Sequence, residues 1–219
     1  MTARAICFSD LKKGFKIMTT KLSVSNGNIK MGAIPSISLP AIKTCRQDAP
    51  CTKECYACRM EKRCKSVRNA YQNNMDLFMD NPESFKMQAI GAAFTTRYFR
   101  WHVSGDILNT EYLEMMVEVA QTCKETNFLA FTKKFELVNQ YIADGGVIPE
   151  NLQIIFSGWR GFKLDNPYHL PEAHVLYKDG TTTAPTNAKV CGGHCYDCIR
   201  QGVGCWELKE GESIVLREH

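Results

Sequence analysis

The sequence predicts an α/β fold: a partial (βα) barrel or an open curved sheet, mainly parallel, with cysteine-rich loops at the carboxyl ends of the strands. Three observations carry this. Short apolar, β-branched and aromatic runs alternate with helical periodicity from residue 35 to residue 157, the pattern of βα units. Four or five such strands are too few to close an eight-stranded barrel. After each strand the chain turns small, polar or charged, and parallel βα architectures place their sites at those ends.

In chain order, residues 1–34 are polar with scattered glycines (Gly14, Gly27, Gly32) and are expected to be irregular or to form a short hairpin. PSISLP (35–40) alternates apolar and serine residues and reads as the first strand, leading into a cysteine loop at 45–64. Val67, Tyr71, Met75 and Phe78 recur at three- and four-residue spacing and predict a helix. Asn81-Pro82-Glu83 stops it and starts another, with Phe85, Ile90 and Phe94 as its expected buried face. YFRWHV (98–103) is the second strand and ends in Ser104-Gly105-Asp106. The next helix begins near Asn109-Thr110, with Glu111 in its first turn and Leu113, Val117 and Ala120 inward. NFLAFT (127–132) is the third strand. FELVNQYIAD is a helix ended by Gly145-Gly146, because glycine accepts a left-handed cap. NLQIIFS (151–157) is the fourth strand and HVLY (174–177) a weaker one.

At 219 residues one domain is expected: an irregular segment to 34, a βα core over 35–177, and a turn-rich, cysteine-rich extension over 178–219. The net charge of +4 is too small to argue nucleic-acid binding. Two basic patches (Lys12, Lys13, Lys16; Arg59, Lys62, Arg63, Lys65, Arg68) read first as solvated faces. The second adjoins the cysteine loop, where it would steady an anionic cluster or receive a phosphate. The N-terminus lacks an apolar signal region, and no apolar run approaches the ~18 residues of a membrane span. The expectation is a cytoplasmic protein with no membrane contact and with thiols kept reduced.

Nine of the eleven cysteines fall in two groups. The spacing Cys-x3-Cys-Tyr-x-Cys occurs twice, as Cys51, Cys55, Cys58 and as Cys191, Cys195, Cys198. Cys45 and Cys64 flank the first set and Cys205 follows the second. Thiols gathered this way in a reducing compartment hold metal. Three of them can hold three corners of a 4Fe-4S cluster and leave one iron open for chemistry, with Cys45 or Cys64 as a possible fourth ligand. Cys191, Cys195, Cys198 and Cys205 offer four thiolates, enough to close a second 4Fe-4S cluster or, as the alternative, a zinc site, with His194 able to replace one. Cys7 and Cys123 read as ordinary buried thiols.

The strand ends supply the remaining candidates: Ser104, Gly105 and Asp106; Thr132, Lys133 and Lys134; Ser157, Gly158, Trp159 and Arg160. Asp106 reads equally as a helix cap or a cofactor contact. Of Trp101 and His102, alternation lets one face the site, and His102 reads as a packed strand residue.

With a Cys-x3-Cys-x2-Cys loop after the first strand, residues 35–160 resemble the radical S-adenosylmethionine superfamily. The resemblance implies a reactive 4Fe-4S cluster on Cys51, Cys55 and Cys58, with Tyr56 in the loop. It implies S-adenosylmethionine contacts from Ser104, Gly105, Asp106 and Ser157, and Asp106, Lys133 and Arg160 as catalytic candidates. It also implies a small-molecule or nucleotide substrate and an electron donor such as flavodoxin or ferredoxin. The match is loose at two places: Ala57, not an aromatic residue, precedes the third cysteine, and Ser-Gly-Asp stands for Gly-Gly-Glu.

SLPAIKTC (38–45), Cys55-Tyr56-Ala57, FRWHVSGD (99–106) and the late Cys195-x2-Cys198…Cys205-Trp206 resemble the bacteriophage "gene product 88" family. That resemblance spans most of the chain, implies a phage protein working in a bacterial host, and places weight on Cys45, Cys51 and Cys55. Nucleic-acid association through zinc is the remaining alternative.

Overall fold

The computed structural model describes residues 20–218; Cys7, Gly14 and the patch at Lys12, Lys13 and Lys16 lie outside them. Eight strands form one open sheet. They are β1 (Val24–Ser25), β2 (Ser36–Ile37), β3 (Tyr98–Trp101), β4 (Asn127–Thr132), β5 (Leu152–Ser157), β6 (Glu172–Leu176), β7 (Lys189–Val190) and β8 (Ser213–Arg217). The spatial order is β1-β2-β3-β4-β5-β6-β8-β7. From β2 to β7 every pairing is parallel; β1 alone runs antiparallel, against β2. The expected α/β class and parallel order are both present. The strand count is higher than expected because the turn-rich tail returns to the sheet. In that tail SIVLR, where no strand is expected, pairs along all of β6.

Helices supply the crossovers. α1 (Tyr56–Arg63), α2 (Lys65–Asp80) and α3 (Pro82–Ala93) link β2 to β3. α4 (Thr110–Thr122) links β3 to β4, and α5 (Phe135–Ala143) links β4 to β5. The short α6 (Cys195–Arg200) lies in the tail. Local chemistry sets the boundaries. The Asn81 and Asn109 side chains accept from the backbone N–H of Ser84 and Tyr112 and so cap α3 and α4. Gly145, at φ +89°, ends α5. None of the described helices is long and apolar enough to cross a membrane.

Because side chains alternate along a strand, the sheet has two distinct faces. Ile37, Phe99, Trp101, Phe128, Ala130, Ile154 and Phe156 point to the helices. They pack with Phe78, Phe85, Tyr112, Leu113, Met116 and Phe135 into the main core. Leu129, Ile155, Ala173 and Ile214 point the other way, into a smaller cluster covered by Leu208, Trp206, Cys191 and Cys205 of the tail. Trp101 therefore belongs to the helix side, stacked on Phe128 with ring centroids 6.2 Å apart.

Two sequence expectations are displaced in register. On α3 the inner stripe is Phe85, Ala89 and Ala93; Ile90 is only partly buried, and Phe94, at the C-cap, is 70% exposed. Small alanines bring α3 close to its neighbours, and the helix ends before Phe94 can turn inward. On α2 the fully buried positions are Asn74, Leu77 and Phe78. Asn74 is a clamp: its amide accepts from Ser23 N (2.7 Å) and donates to Ser23 O (2.9 Å) and Ser38 O (3.0 Å).

Gly91 lies within α3, and a Cβ built there meets nothing within 4 Å. Gly91→Ala is expected to stabilise the fold by about 0.5–1 kcal/mol, through lost unfolded-state entropy alone, and to raise the midpoint of thermal denaturation. An unchanged or lower midpoint would mean that α3 does not hold its helical geometry in solution.

Candidate functional site

The strand ends converge on a cavity of about 240 Å³. Its wall combines the loop after β2 (Cys45, Cys51, Cys55, Tyr56), the end of β3 (Arg100, His102, Ser104, Gly105, Asp106), Thr132 and Lys133 after β4, Ser157 and Trp159 after β5, and Arg217 and Glu218 after β8.

The turn Ser104-Gly105-Asp106 holds these pieces together. Leu39 N donates to Ser104 O at 3.0 Å, and Ser38 Oγ accepts from Val103 N and Ser104 N. Ser104 Oγ donates to Glu61 Oε1 (3.0 Å), which also accepts from Ala41 N (2.7 Å), so α1 is fixed to the turn. Thr44 Oγ1 accepts from Asp106 N at 3.1 Å. The buried Asp106 carboxylate accepts from Thr132 Oγ1 (2.6 Å), Lys133 N (2.9 Å) and Ile107 N (2.8 Å). Burial raises this carboxyl above its ordinary range, and the three donors offset part of that rise. Asp106 is thus a strand-to-strand tie. The cap of α4 is Asn109.

Three thiols line the cavity and sense one another. Burial, then the Asp106 carboxylate, push Cys45 up to about 11, with Cys55 and Cys51 adding to the shift. Cys51 is also raised by burial, with Lys133 opposing. Cys58 is not in this wall; it sits in the first turn of α1, where its backbone N–H donates to the capping Cys55 Sγ at 3.4 Å. Cys64 stands at the start of α2, its thiol 3.2 Å from Ser66 Oγ, and that hydrogen bond lowers it. Spacing alone favours Cys51, Cys55 and Cys58 equally. The extra reach of the 38–45 segment, laid against Ser104–Asp106, brings Cys45 in.

The remaining candidates divide. Lys133 Nζ donates to Ser157 Oγ (2.7 Å) and lies 5.6 Å from the Trp159 ring centroid. Lys134 turns beneath, donating to Leu108 O at 2.8 Å, and burial lowers it. Tyr56 donates to Val103 O at 2.6 Å. Arg160 does not join the cavity; it is paired with Asp179 at 2.6 Å on the surface and stacked on Tyr177. Alternation leaves open whether Trp101 or His102 faces the site; Trp101 lies on the helix face, and His102, with a left-handed backbone (φ +59°), borders the cavity with Nε2 3.2 Å from Tyr112 Oη. Burial pushes its imidazole down to about 3, so it is neutral, and Nδ1 is buried without a partner.

Arg100 was missed, as one basic residue in an aromatic strand. It faces away from the helices, its guanidinium 4.8 Å from the Phe131 centroid; burial raises Cys195 and Cys205, and the Arg100 charge opposes that rise in both. It therefore stands between the cavity and the second thiol set. There, burial pushes Cys205 up to about 12, and Cys191, Cys195 and Cys198 add to the shift. Gly193 N donates to Cys191 Sγ at 3.4 Å, and His194 is the N-cap of α6. A Cβ at Gly204 (φ +97°) would lie 2.9 Å from the Cβ of Cys198, so glycine lets this loop close around the thiols. Among the described residues, no group of three or more His, Cys, Asp or Glu side chains is arranged for a metal ion.

The family model for gene product 88 matches residues 11–174, three quarters of the chain. The chain belongs to the gene product 88 family. Within this family member the matched stretch holds the cavity thiols, Arg100–Asp106 and Lys133, and it ends before the second thiol set. No curated protein and no solved structure matches the chain.

Two outcomes are expected. Gly105 has φ +81°, and a Cβ there would lie 2.6 Å from Thr44 Oγ1 and 2.7 Å from Leu39 O. Gly105→Ala should therefore destabilise by about 3 kcal/mol, read as a lower denaturation midpoint; a neutral effect would show that the turn is free to shift. In metal-free protein at neutral pH, Cys64 should alkylate faster with iodoacetamide than Cys45 or Cys205, because thiolate is the nucleophile. Peptide mapping that found Cys45 labelled first would contradict these environments.

Proposed function

We propose that the chain is a phage-encoded iron–sulfur enzyme of the radical S-adenosylmethionine kind, working in the reducing cytoplasm of the host. The observation that carries this reading is the shared wall: three thiols of one loop border the same cavity as the polar ends of four parallel strands. Cys45, Cys51 and Cys55 would hold a 4Fe-4S cluster, and Cys191, Cys195, Cys198 and Cys205 a second one. The donor chemistry fits. Four-iron clusters take thiolates arranged around a body and not converging on one ion, and Cys45, Cys51 and Cys55 border one cavity. Lys133 and Arg100 offset the negative charge that thiolates bring. The raised Cys45 and Cys205 thiols must lose protons to bind, so loading is favoured by rising pH.

When bound, the first cluster supplies single electrons to a ligand on its open iron. The protein's own residues do the rest. Asp106 keeps the β3 and β4 ends in register and has one carboxylate acceptor position unused by its three donors. Ser104 and Glu61 hold α1, and with it Cys55, against the cavity. Phe131, Trp159 and the neutral His102 limit water beside the thiols.

Protein purified without oxygen is expected to carry about eight irons with matching sulfide. Cys45→Ser, Cys51→Ser and Cys55→Ser should each lose about half of that iron, whereas Cys58→Ser should keep it. A reduced electron paramagnetic resonance spectrum perturbed by S-adenosylmethionine, with release of 5′-deoxyadenosine on turnover, supports the radical reading. The same iron with an unresponsive spectrum assigns a non-radical iron–sulfur redox protein instead. Colourless protein with stoichiometric zinc removes both.

A further inference from the structure

We propose that the cavity binds its small-molecule ligand through an oxyanion, a carboxylate or a phosphate, gripped by Lys133 and Ser157 with Arg100 beside them. This deepens the function proposed above and rests on it only for what sits on the neighbouring thiols.

The cavity wall carries Glu54, Asp106 and Glu218 beside Arg46, Arg100, Lys133 and Arg217, so what distinguishes its cations is which of them are already engaged. Arg46 is satisfied by Asp48 and Glu136. Asp106 is engaged by its three donors, and Glu218 accepts from Lys178 N. Lys133, Arg100, Arg217 and Glu54 form no ion pair among the described residues, and of the cations Lys133 and Arg100 are the ones beside the thiols. Lys133 Nζ spends one of its three donors on Ser157 Oγ. A serine oxygen that accepts from an ammonium keeps its own hydrogen free to donate, so the pair offers several donors to one acceptor group. The Arg100 Nε is buried with no partner, and so is Nδ1 of the nearly fully buried His102 in the same wall. Unpartnered polar atoms out of water are costly, and a bound acceptor offsets that cost.

The geometry also ranks the contacts. Arg100 faces the C-terminal thiols as well, and their thiolates would claim part of its charge. Lys133 faces one thiol, Cys51, and is already aligned with the Ser157 hydroxyl, so this pair is the primary grip. A cationic head group would offer the Lys133 and Ser157 donors no acceptor.

The test is calorimetric titration of the full chain, purified without oxygen, with inorganic phosphate and separately with succinate. Saturable binding of at least one is expected, and the stronger one identifies the head group. Lys133→Gln should weaken it about tenfold or more. Ser157→Ala should weaken it less, and Arg100→Lys, which keeps the charge, should retain more affinity than Arg100→Gln. Lys86→Gln, at a surface lysine tied to Glu83 and Glu118, should leave it unchanged. Absence of saturation by either anion, or wild-type affinity in both Lys133→Gln and Ser157→Ala, overturns the inference. Iron counted on the same samples separates the two readings. Iron-loaded protein that binds neither anion leaves the cluster and removes the oxyanion. Iron-free protein with Lys133-dependent binding does the reverse.

Discussion

One buried carboxylate organises this molecule. Asp106 sits where β3 ends, and its oxygens receive a hydroxyl and two backbone N–H groups from β3 and β4. The preceding glycine lets the backbone approach Leu39 and Thr44, so the loop after β2 is pressed on the same point. Three strands and a cysteine loop are thus fixed by one turn of three residues. Such a tie is costly to break, because each donor would lose its acceptor inside the protein. The loop that carries Cys45, Cys51 and Cys55 has little regular structure of its own, and it takes its position from this turn.

The two sheet faces divide the labour. The helix face holds the aromatic core and supplies most of the apolar burial. The other face has only a small apolar cluster and is closed by the tail, whose thiols pack on it. Arg100 is the residue that belongs to both the cavity and the tail, since it points from β3 into the tail-covered side. The match to the family ends at residue 174, before β7, α6 and β8. The cover of this face therefore lies outside the matched stretch.

Much of the core was legible because its signals are local. NFLAFT and NLQIIFS form strands at or within one residue of the sequence boundaries, and Asn81 and Asn109 cap as their positions suggest. Other features depend on contacts distant in sequence. SIVLR forms a long parallel strand only because β6 waits for it. His102 ends β3 with a left-handed backbone that ties its ring to Tyr112 at the cavity wall, a conformation no periodicity can announce. The repeated spacing points to Cys58 and the gene product 88 resemblance to Cys45; Cys45 borders the cavity, through the packing of residues 38–45 on the Asp106 turn, and Cys58 stands outside that wall. Arg160 follows a strand end as expected, yet Asp179 draws it outward, and nothing in its own segment tells of that partner.

An open sheet leaves two borders, and those borders bear on how the molecule behaves in a crowded cell. Here the outermost strands, β1 and β7, are each two residues long. A visiting chain would find almost no ladder of free N–H and C=O groups on which to extend. The long strands β4 and β5, the best templates for such growth, are enclosed in the middle of the sheet. The arrangement gives a fold that stays open enough to expose a cavity at its strand ends, while offering little purchase for edge-to-edge aggregation.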